Sequence, residues 1–558
     1  MDNVADLILI NGRFYTQNED IPWAGGVAIK DDCFIYVGND EVWKEHLGKE
    51  TEVIDLDGKL VLPGLIDGHV HPETVAKSTW KVALPETEDI TELLSFVKDF
   101  CETHSPEEVP YFFGESYPTT MFGEEGPHKK LLDKYVSDRP VRLQDFTDHS
   151  CWYNSKALEL MEVKKGKPDP EGVAVFIRDG NGEPTGWVKE PGLTSDFEVP
   201  MFEKIGWRPP QEATKEMVEP FLSFLNSYGI IAILDGITEG ESSMKLFYDL
   251  DRAGCLNMYY EGTCLLEDYE HLDECIATLR EWQEKYISKH VGIHTIKFFL
   301  DGTNELGNCG VLEPFSNDKA GTDYGNMNMT EDELTKVLIR LNREGIDMHI
   351  HLVGDRSFRT ACNAYERAKK ECKEEWKIYL QLAHCELIDP SDMLRVAELG
   401  IIVNWSPHWG GGYFGEAARE WLGNERFNRM YDFTKIIDSG GTVTYSSDVI
   451  GQCEAHRANP YFGMECSHTR IDVEAPLKCG IRQPGSAKLP LEEMIRGYTI
   501  KGAVPFRFED RMGSIEKGKL AHLVVLKQDL FEVPKNEIHK VEPQAVLFEG
   551  KLISGSLR

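Results

Sequence analysis

A chain of 558 residues with 41% hydrophobic content is globular and too long for one simple core, so two or three domains are expected. Its 95 acidic against 60 basic residues leave a formal charge of −35, which argues against nucleic acid or an anionic membrane surface as a partner. Thirteen cysteines, odd in number and without CxxC pairs, fit free thiols better than a disulfide framework; with no leader-like start and no run near ~20 apolar residues, a cytoplasmic protein is expected.

In chain order, residues 6–16, 25–30, 33–38 and 52–55 read as short strands between Asn-Gly, Gly-Gly, Asp-Asp and Gly-Asn turn signals. The tail repeats this grammar, with a turn at 513–519 and strands at 522–526, 545–548 and 552–554. Neither end has enough strands for a stable sheet alone. The two are therefore expected to pair, giving a composite β-sandwich domain from residues 1–61 and 506–558. Residues 62–505 lie between them as an insertion.

Within that insertion an apolar run at 60–66 leads into Asp67-Gly68-His69-Val70-His71. Further strands follow at 141–145, 230–235, 295–300, 347–351, 379–383, 401–404 and 442–445. Amphipathic helical stretches at 211–228, 242–253, 268–289, 330–344, 356–374 and 391–399 separate most of them. Eight strands alternating with helices predict an α/β fold, a (β/α)8 TIM barrel. Segments at about 72–139 and 166–208 break the alternation, and read as an accessory insertion near the barrel mouth.

Barrel enzymes place their chemistry at the carboxyl ends of the strands. His69 and His71, at i and i+2 on a strand, point the same way and suit a divalent cation, since neutral imidazole nitrogen is a good zinc ligand. Lys297 stands inside the apolar run Ile296-Lys297-Phe298-Phe299-Leu300, followed by Asp301-Gly302. The next strands end in His349-Ile350-His351-Leu352-Val353-Gly354-Asp355, in His384-Cys385-Glu386, in Ser406-Pro407-His408 and in Ser446-Ser447-Asp448. Singly, a strand-end histidine is more often a satisfied core residue than a ligand. Metal-type groups at matching ends of several strands are hard to ascribe to accident.

The order HxH, Lys, His, His, Asp, with Pro-Gly-Leu-Ile-Asp-Gly-His-Val-His and paired β ends, resembles the amidohydrolase superfamily. It resembles most the amidohydrolase-3, YtcJ-like branch, which includes N-substituted formamide deformylases. Matching stretches include 149–158, 182–190, 297–302 and 513–518, so the likeness covers nearly the whole chain. One departure is Ala521-His522-Leu523, where the family commonly has Ala-Asp-Leu.

The resemblance implies that His69 and His71 bind a first metal, His351 and His384 a second, and Lys297 bridges them as a carbamate formed with carbon dioxide. Asp448 would ligate the first metal and act as general base and acid. A lysine at its ordinary pKa of about 10.4 is a cation and holds no metal; burial lowers that pKa, and carbamylation makes the group an anionic oxygen ligand. One or two Zn2+ or other divalent ions would lower the pKa of a shared water toward ~7, for attack on an amide, N-acyl or N-formyl carbonyl. His149, Glu190, His408 and Trp152 are carried over as substrate-binding candidates. Asp67 and Asp301 are read as orienting groups, and among the two histidines of the fifth strand the spacing to Gly354-Asp355 selects His351 over His349. The expected partners are a small-molecule substrate and a second copy in a homodimer. Deamination, decarboxylation or isomerisation on the same barrel stays open, as does a silent scaffold homologue, although a mononuclear deaminase would lack Lys297 and a scaffold would have lost ligands.

Overall fold

The computed structural model describes residues 4–558 apart from 86, 119–120, 123–124, 146–149, 170–173, 190–195, 306, 374, 413–414 and 477–479. Two compact units emerge: residues 1–73, 214–450 and 456–558 form one, and 74–213 with 451–455 the other.

The first unit contains an eight-stranded parallel sheet curled into a (β/α)8 TIM barrel. Its strands are β1 (Leu65–Val70), β2 (Ile230–Asp235), β3 (Tyr259–Leu265), β4 (Val291–Phe299), β5 (Asp347–Leu352), β6 (Leu380–His384), β7 (Ile402–Trp405) and β8 (Thr442–Tyr445). Each pairs in parallel with the next, from β1 to β8. Closure comes just past β8, where Asp448 N donates to His69 O at 2.8 Å and His71 N donates to Val449 O at 3.2 Å. The strands are almost wholly buried, as expected when a parallel sheet is covered on one face by helices and filled on the other by side chains.

The helices between strands follow local rules. After β4, Glu331–Glu344 starts with a capping box, Glu333 N donating to Thr330 Oγ1 while the Glu333 carboxylate accepts from Thr330 N, and stops at Gly345 with φ +66°. Its buried Leu334, Val337, Leu338 and Leu341 recur at helical spacing and make the face turned to the barrel.

The same unit carries a second eight-stranded sheet built from both chain ends. Leu60–Pro63 lies between Leu7–Tyr15, to which it is parallel, and Leu523–Leu526, to which it is antiparallel. Leu9, Phe14, Val27, Phe34, Val61, Leu523, Val525 and Leu547 form a core on this sheet. The run expected at 60–66 is thus two strands. Leu60–Pro63 belongs to the terminal sheet and β1 to the barrel, with Gly64 between them. A Cβ at Gly64 would meet Ile231 at 2.4 Å and His522 at 2.9 Å, so only glycine passes through this junction without displacing a neighbour.

The second unit holds a six-stranded mixed sheet ordered Val175–Arg178, Pro184–Lys189, Ser150–Tyr153, Val141–Asp145, Phe112–Tyr117 and Val82–Ala83. Here the barrel expectation needs correction. Val141–Asp145, counted among the barrel strands, pairs with Phe112–Tyr117 and Ser150–Tyr153 instead, and the eighth barrel strand is β3. Sheet membership depends on distant pairing, which a five-residue pattern does not encode.

Candidate metal centre

β1 delivers His69 and His71 to the carboxyl rim, and the backbone hydrogen bonds that close the barrel bring Asp448 against them. Ligand atoms of His69, His71 and Asp448 all lie within 4.8 Å of one another. His71 Nε2 is 3.2 Å and His69 Nε2 3.4 Å from Asp448 Oδ1, while the second oxygen of the same carboxylate is 3.4 Å from His384 Nδ1. Asp448 (φ +50°) and His384 (φ +73°) both take left-handed backbone conformations, a strain retained at functional sites when the surrounding fold dictates it.

β4, β5 and β6 complete the rim. Lys297 is in register with His349 across the β4–β5 pair, and His351 with Ala383 across β5–β6. The His351 and His384 rings are 4.4 Å apart between centroids, and those of His69 and His384 5.2 Å. Lys297 is buried, its Nζ 4.9 Å from the Phe299 ring, and burial brings its pKa down to about 7 against the upward pull of Asp448 and Asp235. A lysine that loses its proton near neutrality is a nucleophilic amine able to take up carbon dioxide. The same desolvation, with Lys297 nearby, holds His69 and His384 well below the usual imidazole range and His351 at about 3, so these rings are neutral and carry a lone pair. Neutral imidazoles, a carboxylate and a deprotonatable lysine are a donor set that fits one or two divalent ions.

Neighbouring groups orient these side chains. His69 Nδ1 is 2.9 Å from His349 Nε2, and His351 Nε2 is 3.1 Å from Gly302 O, leaving His69 Nε2 and His351 Nδ1 as the ring nitrogens available to a metal. Asp67 accepts from Ser447 N at 3.0 Å and His69 N at 3.2 Å, fastening β1 to the segment that carries Asp448; burial raises its carboxyl to about 7. Asp301 accepts from Gly310 N, Val353 N and Gly354 N at 2.9–3.0 Å, so both aspartates act on loops and backbone, as read from sequence. Gly236, after β2, leaves the space the imidazoles occupy: a Cβ there would lie 2.3 Å from His69 Nε2.

The six residues expected to hold metal, His69, His71, Lys297, His351, His384 and Asp448, therefore converge. His408 lies farther out, its ring 5.7 Å from Trp409, which stacks on His384 at 5.4 Å. His149 and Glu190 fall outside the described residues. Trp152 is fully buried in the core of the second unit's sheet, 5.2 Å from Phe122 and 6.3 Å from Tyr117, where it is a packing residue. Sequence reasoning missed Gly236 and Asp235. Asp235, which accepts from Tyr260 Oη at 2.7 Å and pulls the Lys297 pKa upward, ends a recognised strand, but nothing local marks it as acting on Lys297 or Gly236 as facing the imidazoles.

A sequence model of the amidohydrolase family, amidohydrolase-3, matches residues 52–554. The putative amidohydrolase YtcJ of Bacillus subtilis (strain 168) is 26% identical, the match covering 97% of this chain and 98% of that protein. N-substituted formamide deformylase of Arthrobacter pascens is 24% identical over 99% of each. Among solved structures, an uncharacterized metal-dependent hydrolase from Pyrococcus horikoshii OT3 shares the fold, with a TM-score of 0.70 at 21% identity over 95% of this chain and 99% of that one. With barrel, rim histidines and a family match over most of its length, this chain belongs to the amidohydrolase family.

Proposed function

We propose that this amidohydrolase is a metal-dependent hydrolase cleaving a C–N bond of the amide, N-acyl or N-formyl type in a small molecule. The observation that carries the reading is the convergence of His69, His71, His351, His384, Lys297 and Asp448 on one rim. The full-length likeness to an N-substituted formamide deformylase supports the bond type. His69, His71 and Asp448 would hold one ion and His351 with His384 a second, Lys297 joining both as a carbamate; zinc suits these donors. When bound, such ions lower the pKa of water toward ~7 and polarise a carbonyl.

The remaining work falls to the protein. Asp448, whose two oxygens face different histidines, accepts the proton of the attacking water and returns it to the leaving nitrogen, so that the amine departs neutral. Trp409, stacked on His384, walls the rim beside the reacting carbonyl, and His408 beyond it contacts the acyl or amine group. The free thiols among the described cysteines agree with a reducing cytoplasm.

The test is metal analysis of the purified protein, an intact-mass search for a carbamate on Lys297, and a screen of N-acyl and N-formyl compounds for amine release. Asp448→Asn and Lys297→Ala are each expected to lower turnover by at least ~10³-fold while leaving the circular dichroism spectrum unchanged. A variant with near-normal turnover overturns the assignment of roles.

A further inference from the structure

His349 is fully buried in β5, two residues before the rim, and none of the steps above uses it. Its Nε2 lies 2.9 Å from His69 Nδ1, with ring centroids 4.7 Å apart. A neutral imidazole carries one N–H, so a hydrogen bond between two of them places a single proton between the rings. The position of that proton decides which nitrogen of His69 is bare.

We infer that His349 is a positioning residue that accepts the Nδ1–H of His69 and thereby keeps His69 Nε2 free to hold a divalent ion. This rests on the reading that His69 is a ligand. His69 Nε2 faces His71 Nε2 at 3.3 Å and Asp448 Oδ1 at 3.4 Å, so it is the atom turned toward the donor cluster and must be unprotonated to bind. The proton of His69 then sits on Nδ1 and is given to His349 Nε2. His349 in turn carries its proton on Nδ1, a buried atom without a well-formed hydrogen bond.

Gln381, its registered neighbour on β6, is the side chain that interacts with His349 from that strand, and its amide nitrogen is likewise buried without a partner. The two ends of an amide are interchangeable in shape, and turning the Gln381 oxygen toward His349 supplies the missing acceptor. The chain Gln381, His349, His69 thus sets the tautomer of a ligand from the barrel interior. Ligand histidines commonly hand their second N–H to a carboxylate or carbonyl; here a neutral ring does that duty.

The experiment is zinc titration of the full-length, metal-stripped protein against a chelator, with thermal melts to establish folding. His349→Leu fills the space but accepts nothing, and zinc affinity is expected to fall about 10- to 100-fold. His349→Gln, whose amide oxygen reaches the position of the ring Nε2, is expected to bind within about threefold of wild type, whereas the shorter His349→Asn stays weak. A folded His349→Leu with wild-type affinity overturns the inference, as does a His349→Gln no better than His349→Asn, a comparison that serves also where the leucine variant does not fold. A wild-type protein that takes up no zinc removes the proposed function itself.

Discussion

Gly236 shows how a missing side chain defines this site. A methyl group there would fall 2.3 Å from His69 Nε2 and 2.6 Å from His71 Cε1, well inside contact distance, with backbone fixed on one side and imidazoles on the other. Gly236→Ala is therefore expected to displace both rings and weaken zinc binding by about 10- to 100-fold, read by chelator competition, with retention of secondary structure. The residues that meet at the rim are legible in the sequence because their chemistry is local: HxH at a strand end, a lysine in an apolar run, an aspartate after Ser-Ser. Gly236, Asp235 and the His349 contact are not, because each matters only through a neighbour dozens to hundreds of residues away. The sequence shows His349 two residues before His351, but its hydrogen bond to His69 cannot be read from spacing.

Strands have a hidden layer of their own. On the side of the barrel away from the metal rim, His294 of β4 lies between Glu261 of β3, Nδ1 to Oε1 2.6 Å, and Asp347 of β5, Nε2 to Oδ2 3.3 Å; Arg507 donates to the same Asp347 at 2.8 Å. Despite burial, the two carboxylates raise the His294 pKa from 6.5 to about 10. A folded-state pKa above the unfolded value means stability fully present below about pH 6.5, declining above it and gone once pH passes about 10. His294→Gln should thus cost roughly 3–5 kcal/mol at pH 6, and the gap to wild type should narrow steadily in urea titrations between pH 7 and 10. This cluster also explains why β3 lacks a strand-like pattern in the sequence. Tyr-Tyr-Glu-Gly-Thr-Cys-Leu carries a charge and a glycine inside its run, and only the His294 partner makes Glu261 welcome there. Val141–Asp145 is the complementary case, since its pattern suits a buried strand of any sheet.

At the scale of the whole molecule, seven of the eight barrel strands and the pairing of the two chain ends are visible in the sequence, because apolar runs and turn residues recur along it. Removing residues 523–558 would strip three strands from the terminal sheet and expose the edge of Leu60–Pro63. Leu523, Val524, Val525, Leu526 and Leu547 are fully buried, and their loss is on the order of 10 kcal/mol. That rivals the entire ~5–15 kcal/mol margin of a folded protein, so the truncated chain is expected to aggregate or fail to melt cooperatively. Solubility and a thermal scan decide it.

The single residue between Leu60–Pro63 and β1 has a further consequence for how the protein is made. Leu60–Pro63 lies between an early strand, Leu7–Tyr15, and a late one, Leu523–Leu526, and the strand bearing His69 and His71 follows it directly. A growing chain therefore holds its first two imidazoles before the late strand that flanks Leu60–Pro63 has been made. The groups that face those two imidazoles, Asp448 and His384 among them, lie hundreds of residues farther on, so the rim is assembled from the far side of the barrel and not from the strand that opens it.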